Sequence, residues 1–153
     1  MKTLIAAALA TVIAAGSGAA ADGPKKMPVP AAKPVKMTAA EAAGPAFKGP
    51  AAVHETGAAD GPTTDVSLLK SRDGRFEAGL YEAGPSDVAI ASYEEDEFMY
   101  FLEGGVTLTS ADGTVLEARA GEAVAIPKGW KGRWTTKGYR KYYVTYATGK
   151  KPQ

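Results

Sequence analysis

Between Val66 and Ala147 short apolar runs alternate with turn signals at a spacing too tight for helices. The pattern predicts strands at Val66–Leu69, Arg75–Glu82, Asp87–Tyr93, Glu97–Glu103, Val106–Thr109, Val115–Arg119, Ala123–Ile126, Arg133–Thr136 and Tyr139–Ala147. Turns are expected at Arg72-Asp73-Gly74, Gly84-Pro85-Ser86, Gly104-Gly105, Ala111-Asp112-Gly113, Gly121 and Pro127-Lys128-Gly129, because Gly, Pro and Asp adopt turn dihedrals at low cost. No stretch sustains a 3.6-residue period, and many short strands imply an all-β sandwich or barrel. Phe98–Leu102 is apolar at every position. Such a strand calls for cover on both faces, by the barrel interior on one side and a second sheet or subunit on the other. A homodimer would provide it.

Composition divides the rest of the chain. Residues 1–21 place Lys2 before an apolar stretch and then small residues, with Ala19 and Ala21 at the cleavage positions of a secretory signal peptide. A periplasmic or secreted protein without a membrane anchor is expected, since the apolar stretch falls short of a spanning helix. Residues 22–64 carry seven of the ten prolines and one aromatic, Phe47. Too little apolar surface is available there to offset ordering entropy, so a disordered tether is predicted. The only histidine, His54, lies in it and is assigned no role. The folded domain is expected over 65–147, with a tail at 148–153. Cysteine is absent, which excludes disulfides and thiolate ligands. Without residues 1–21 the acids and bases balance, and nucleic acid is not an expected partner.

Candidate chemistry begins at "YEEDEFMYFLEGG", residues 93–105, where Glu94, Glu95, Asp96 and Glu97 run into the apolar strand. Glu97, six residues and Gly104, followed by Gly121, five residues and Pro127-x-Gly129, resemble the paired motifs of the cupins. Asp96-Glu97, Leu102-Glu103-Gly104, Pro127-Lys128-Gly129-Trp130-Lys131-Gly132-Arg133-Trp134 and Arg140-Lys141-Tyr142-Tyr143 are similar to the cupins named after ureidoglycine aminohydrolase. The resemblance covers roughly 65–147 and implies a small antiparallel jelly-roll barrel.

Metal-binding cupins carry a His-x-His pair before that Glu and a further His after the second glycine motif. Here the positions hold Ala91, Tyr93 and Gly132, and only Glu97 remains. One carboxylate does not make a transition-metal site, so no metal and no cofactor are expected. The aminohydrolase activity, which depends on a metal, is not carried over.

The resemblance turns Glu97 inward, while Glu94, Glu95 and Asp96 precede the strand as solvated acids. Strand alternation then points Gly132, Trp134 and Thr136 into the barrel and Arg133 and Thr135 outward. Lys141 is the natural partner of Glu97, with Tyr93 and Tyr143 as hydrogen-bonding neighbours. A Glu-Lys pair that only fixes register is the competing reading. Trp130, at the turn Gly129-Trp130-Lys131, is expected at a rim or in a dimer interface. After Glu122 the chain has eight bases and no acid, and these are expected to complement the loop at 94–96 or to steer a small anion. The first expected function is binding of a small polar or anionic molecule in a cavity lined by Tyr93, Glu97, Met99, Trp134, Lys141 and Tyr143. The alternatives are a metal-free enzyme, with Glu97 as general acid or base and Lys141 stabilising negative charge, and a structural dimerisation module. Some ethanolamine-utilisation cupins also lack the metal histidines, which gives the enzyme reading an analogy. No Ser-His-Asp set or phosphate loop is present.

Overall fold

Strands form where the apolar residues alternate, and nine of them appear in the computed structural model, which describes residues 33–56 and 61–148. They are β1 (Ala52–Glu55), β2 (Thr63–Lys70), β3 (Phe76–Ala83), β4 (Ser86–Ile90), β5 (Asp96–Ser110), β6 (Val115–Arg119), β7 (Ala123–Ile126), β8 (Gly132–Thr136) and β9 (Tyr139–Tyr146). All pairings are antiparallel, in the order β1-β2-β3-β9-β5-β8-β4, with β6 and β7 also on β5. The sheet curls into a small all-β barrel of cupin type. The expected signal peptide at 1–21 and the first part of the expected tether lie outside the described residues, as do 149–153. Lys33 and Pro34 fall in a separate unit, and all nine strands belong to the unit from Val35 onward.

The Gly104-Gly105 turn predicted from sequence is not a turn. β5 runs through it unbroken, pairing with β7 and β9 up to Gly104 and with β6 and β8 from Gly105 onward. Gly104 has φ 68, and a Cβ there would lie 2.0 Å from the Gly138 carbonyl oxygen. Glycine is needed because two backbones meet where the strand passes from one half of the barrel to the other. The Ala111-Asp112-Gly113 turn does form, closed by the Gly113 N–H donating to the Ser110 carbonyl at 2.9 Å.

Residues 38–56, read from composition as tether, are folded, so the domain starts earlier than expected. Thr38 caps a short helix, α1 (Ala39–Ala42), in a capping box with Glu41. A 3₁₀ turn follows at Pro45–Lys48, and β1 extends the sheet. Ala42 and Phe47 are buried against Val66 and Leu80, with Leu102 and Tyr142 alongside. Arg140 adds a hydrogen bond to the Ala43 carbonyl at 2.6 Å and lies over the Phe47 ring. Phe47 and Ala42 on an apolar face, the capping box and the pairing of β1 with β2 together hold a segment that its composition alone would leave loose.

That segment covers only part of the outer face. On β5, Met99 and Phe101 are fully buried inward, and Leu102 is sheltered by the N-terminal segment. Phe98 and Tyr100 remain 51% and 40% exposed. Within one chain the expected cover over both faces of 98–102 is therefore incomplete. Across the sheet, Phe98 pairs with Ala125 and Val144, and Tyr100 with Ala123 and Tyr142.

Candidate functional site

Period-two alternation decides which side chains enter the barrel. On β9, Tyr139, Lys141, Tyr143 and Thr145 are buried while the residues between them are not. On β5 the inward set is Glu97, Met99 and Phe101, and on β8 it is Trp134 and Thr136, with Arg133 and Thr135 exposed. The interior thus receives one lysine and one glutamate among aromatic rings.

Lys141 Nζ lies 2.8 Å from Glu97 Oε1, and the two side chains are 4% and 2% exposed. The same ammonium lies 3.7 Å from the Met99 sulfur. It also sits 5.5 Å from the ring centroid of Tyr81 and 5.4 Å from those of Trp134 and Tyr139, within range for attraction to the ring faces. The Tyr93 hydroxyl donates a hydrogen bond to Glu97 Oε2. Burial raises the Tyr93 phenol well above its ordinary pKa, and the neighbouring Glu97 charge adds to the shift. The phenol is therefore a donor at neutral pH.

Tyr93 belongs to the loop between β4 and β5. Its N–H donates to the Trp130 carbonyl at 2.8 Å, and its carbonyl accepts from the Gly129 N–H at 2.7 Å. Its ring stacks parallel to Trp134 at 6.4 Å and meets the edge of Trp130 at 6.3 Å. Trp130 is accordingly half-buried, with its indole N–H donating to Ser110 Oγ at 3.1 Å. Its ring is thus more sheltered than the turn sequence alone suggests.

Tyr143 is buried inward but does not serve Glu97 as a hydrogen-bonding neighbour. Its hydroxyl donates to Asp65, 3.0 and 3.1 Å from the two carboxylate oxygens, and lies 3.5 Å from Glu77. Burial is the main reason its phenol is raised far above the ordinary range, followed by the charges of Asp65 and Glu77. Sequence reasoning missed Asp65, Glu77, Tyr81 and Tyr139. Tyr139 could have been found, because it shares the inward parity of Lys141 and Tyr143 on one strand.

Three of the basic residues after Glu122, Arg133, Arg140 and Lys141, find acids on neighbouring strands. Arg133 makes a two-pronged bond to Asp87 with both distances 2.6 Å. Arg140 bridges Glu82 at 2.5 Å and Glu103 at 2.7 Å. Asp96 instead accepts the Lys128 backbone N–H at 2.9 Å. His54, on β1, has Nδ1 2.9 Å from Thr64 Oγ1. Glu82, Glu103 and Arg140 line a groove of about 450 Å³ with His54 and Lys137.

A metal of the kind held by histidine-bearing cupins does not fit these residues. Both Glu97 oxygens are engaged, one by Lys141 and one by Tyr93, and Tyr93 itself stands at a histidine position. At the third position, a Cβ on Gly132 would meet the Thr109 carbonyl oxygen at 2.3 Å and the Trp130 ring at 2.5 Å. Among the described residues no group of three His, Asp or Glu is placed to hold a metal ion.

A family model for the EutQ-like cupin domain matches residues 70–143. The EutQ protein of Clostridium difficile is 26% identical with a TM-score of 0.50, over 61% of this chain and 74% of that one. A protein of unknown function from Rhizobium leguminosarum bv. viciae 3841 is 25% identical with a TM-score of 0.52, over 76% and 99% of the two chains. A DUF861-family protein of Pseudomonas syringae pv. tomato DC3000 shares the fold at 22% identity and a TM-score of 0.52, and the match covers 55% of this chain and 36% of that one. No curated protein matches the sequence. The curled antiparallel sheet and these likenesses agree: the fold is that of a cupin, and the part of the chain from 70 to 143 is similar to the EutQ-like cupin domain.

Proposed function

We propose that the domain binds a small polar or anionic molecule at the Tyr93–Glu97–Lys141 cluster, without a metal. The observation that carries this reading is a buried ion pair with a third hydrogen-bonding group, enclosed by aromatic rings in the barrel interior. A buried pair of this kind gives little or no net stability over an apolar filling, so a structural purpose alone explains it poorly. Tyr93 is only partly buried, and its loop is the natural entrance. An entering carboxylate or amide oxygen would accept from Lys141 and stack on Trp134, with Tyr93 rotating away from Glu97.

The likeness to the ureidoglycine aminohydrolase-type cupins supports the placement of Glu97 and Lys141 and not the metal-dependent activity of that family. The mutual hydrogen bonding of Tyr93, Glu97 and Lys141 also favours a second reading, an enzyme in which Glu97 moves a proton and Lys141 stabilises negative charge. The sequence of residues 1–21 supports an exported location, and a homodimer through the Phe98 and Tyr100 face would complete the cover that β5 lacks.

Native mass spectrometry of protein purified from its own compartment tests the set. A retained small molecule, a mature chain starting near Asp22, two copies and less than stoichiometric metal are expected. Retention should fall in Lys141→Met and Trp134→Phe and persist in Glu95→Gln. About one transition-metal ion per chain, or retention that ignores Lys141 and Trp134, would refute the reading. Turnover of the retained molecule that Glu97→Gln abolishes would favour the enzyme.

A further inference from the structure

The cluster contains its own cation. Lys141 Nζ is bonded to the one carboxylate left from the metal-binding pattern, faces three aromatic rings at 5.4 to 5.5 Å and touches a thioether. We propose that the Lys141 ammonium is the resident cation of this barrel, standing in for the ion of histidine-bearing cupins, and that the cage around it is selective for a primary ammonium group.

The chemistry of the walls supports this choice of cation. A transition metal takes three or four N, O or S donors, whereas an ammonium needs acceptors for its N–H groups and gains from the negative faces of aromatic rings. Tyr81, Trp134 and Tyr139 supply the faces and Glu97 supplies the acceptor. Tyr93, bonded to the other Glu97 oxygen, helps hold the carboxylate toward the lysine. The lysine arrives from β9 by strand parity, so its tether is part of the fold. This inference does not depend on which molecule the domain binds, or on whether it binds one.

Replacing Lys141 by alanine removes Cγ, Cδ, Cε and Nζ, the heavy atoms of n-propylammonium. The test is thermal unfolding of the Lys141→Ala full chain with n-propylammonium chloride, against 1-propanol and sodium chloride at matched concentration. The expected result is a midpoint rise of about 5 °C or more that grows with the logarithm of propylammonium concentration. It should be absent with propanol and much smaller with tetramethylammonium, which has no N–H for Glu97. Wild type, whose cage is filled, should not respond, and Glu97→Gln/Lys141→Ala should lose the preference for propylammonium over propanol. If Lys141→Ala is unfolded alone, refolding in propylammonium, read by near-ultraviolet circular dichroism, is expected to recover it. Equal effects of propylammonium and propanol, failure of propylammonium to recover an unfolded variant, or Lys141→Met as stable as wild type would each overturn the proposal.

Discussion

Substituting Glu97 and Lys141 singly and together measures what the buried pair does to stability. Two unit charges at 2.8 Å attract by about 6 kcal/mol at an effective dielectric of about 20. Taking each ion out of water costs several kcal/mol, so the intact pair is close to neutral against an apolar filling, whereas stranding one partner is not. With the side chains 2% and 4% exposed, Glu97→Gln and Lys141→Met should each destabilise by about 3–5 kcal/mol. For a domain of this size that lowers the unfolding midpoint by about 12 °C or more. The double variant should lose much less than the sum of the two single losses, with a coupling of about 2 kcal/mol or more. Urea unfolding followed by tryptophan fluorescence reads all four chains, since Trp134 lies against Lys141. Additive losses would mean that the two charges do not interact. Single losses near about 1 kcal/mol would mean that water reaches the pair.

Three further outcomes rest on the same structure. Phe47→Ala should cost about 3–5 kcal/mol by emptying the contact between the N-terminal segment and the sheet, and urea unfolding that leaves stability unchanged would remove that segment from the fold. Gly104→Ala should cost about 2–4 kcal/mol, because it adds a Cβ at positive φ against a backbone oxygen; a wild-type midpoint would show that β5 does not pass the crossing as described. Tyr93 and Tyr143 hold their protons more tightly in the folded than in the unfolded chain, so their contribution is complete below about pH 10 and is lost as pH rises above it. Phenolate absorbance of these two should therefore appear together with loss of the near-ultraviolet dichroism, and ionisation of both in a chain that stays folded near about pH 10 would contradict their burial.

Strand parity made much of the interior legible, because one inward residue fixes every second neighbour. Glu97 and Trp134 were placed by motif resemblance plus parity, and Lys141 followed from the last strand. The hydroxyl of Tyr143 could not be assigned in this way. Its partner Asp65 is on β2, whose register against β3, and that of β3 against β9, depends on pairings that a single sequence does not encode. Gly104-Gly105 reads as a turn because the same residues serve where a strand bends against another backbone. The N-terminal segment was missed because composition averages over forty-three residues, while ordering depends on Phe47 meeting an apolar face. The Thr38–Glu41 capping box was the local signal that could have marked its start.

β9 is the last strand among the described residues and lies between β3 and β5. Tyr146 must find Phe76, and Tyr139 must find Ala83, across more than fifty intervening residues. Such pairings close long loops before any reward is gained, which slows folding. A nascent chain short of Tyr139 leaves β3 and β5 without their common neighbour, with two open edges and no lysine opposite Glu97. Closure of the sheet and assembly of the charged cluster are thus one event, and it comes with the arrival of the final strand.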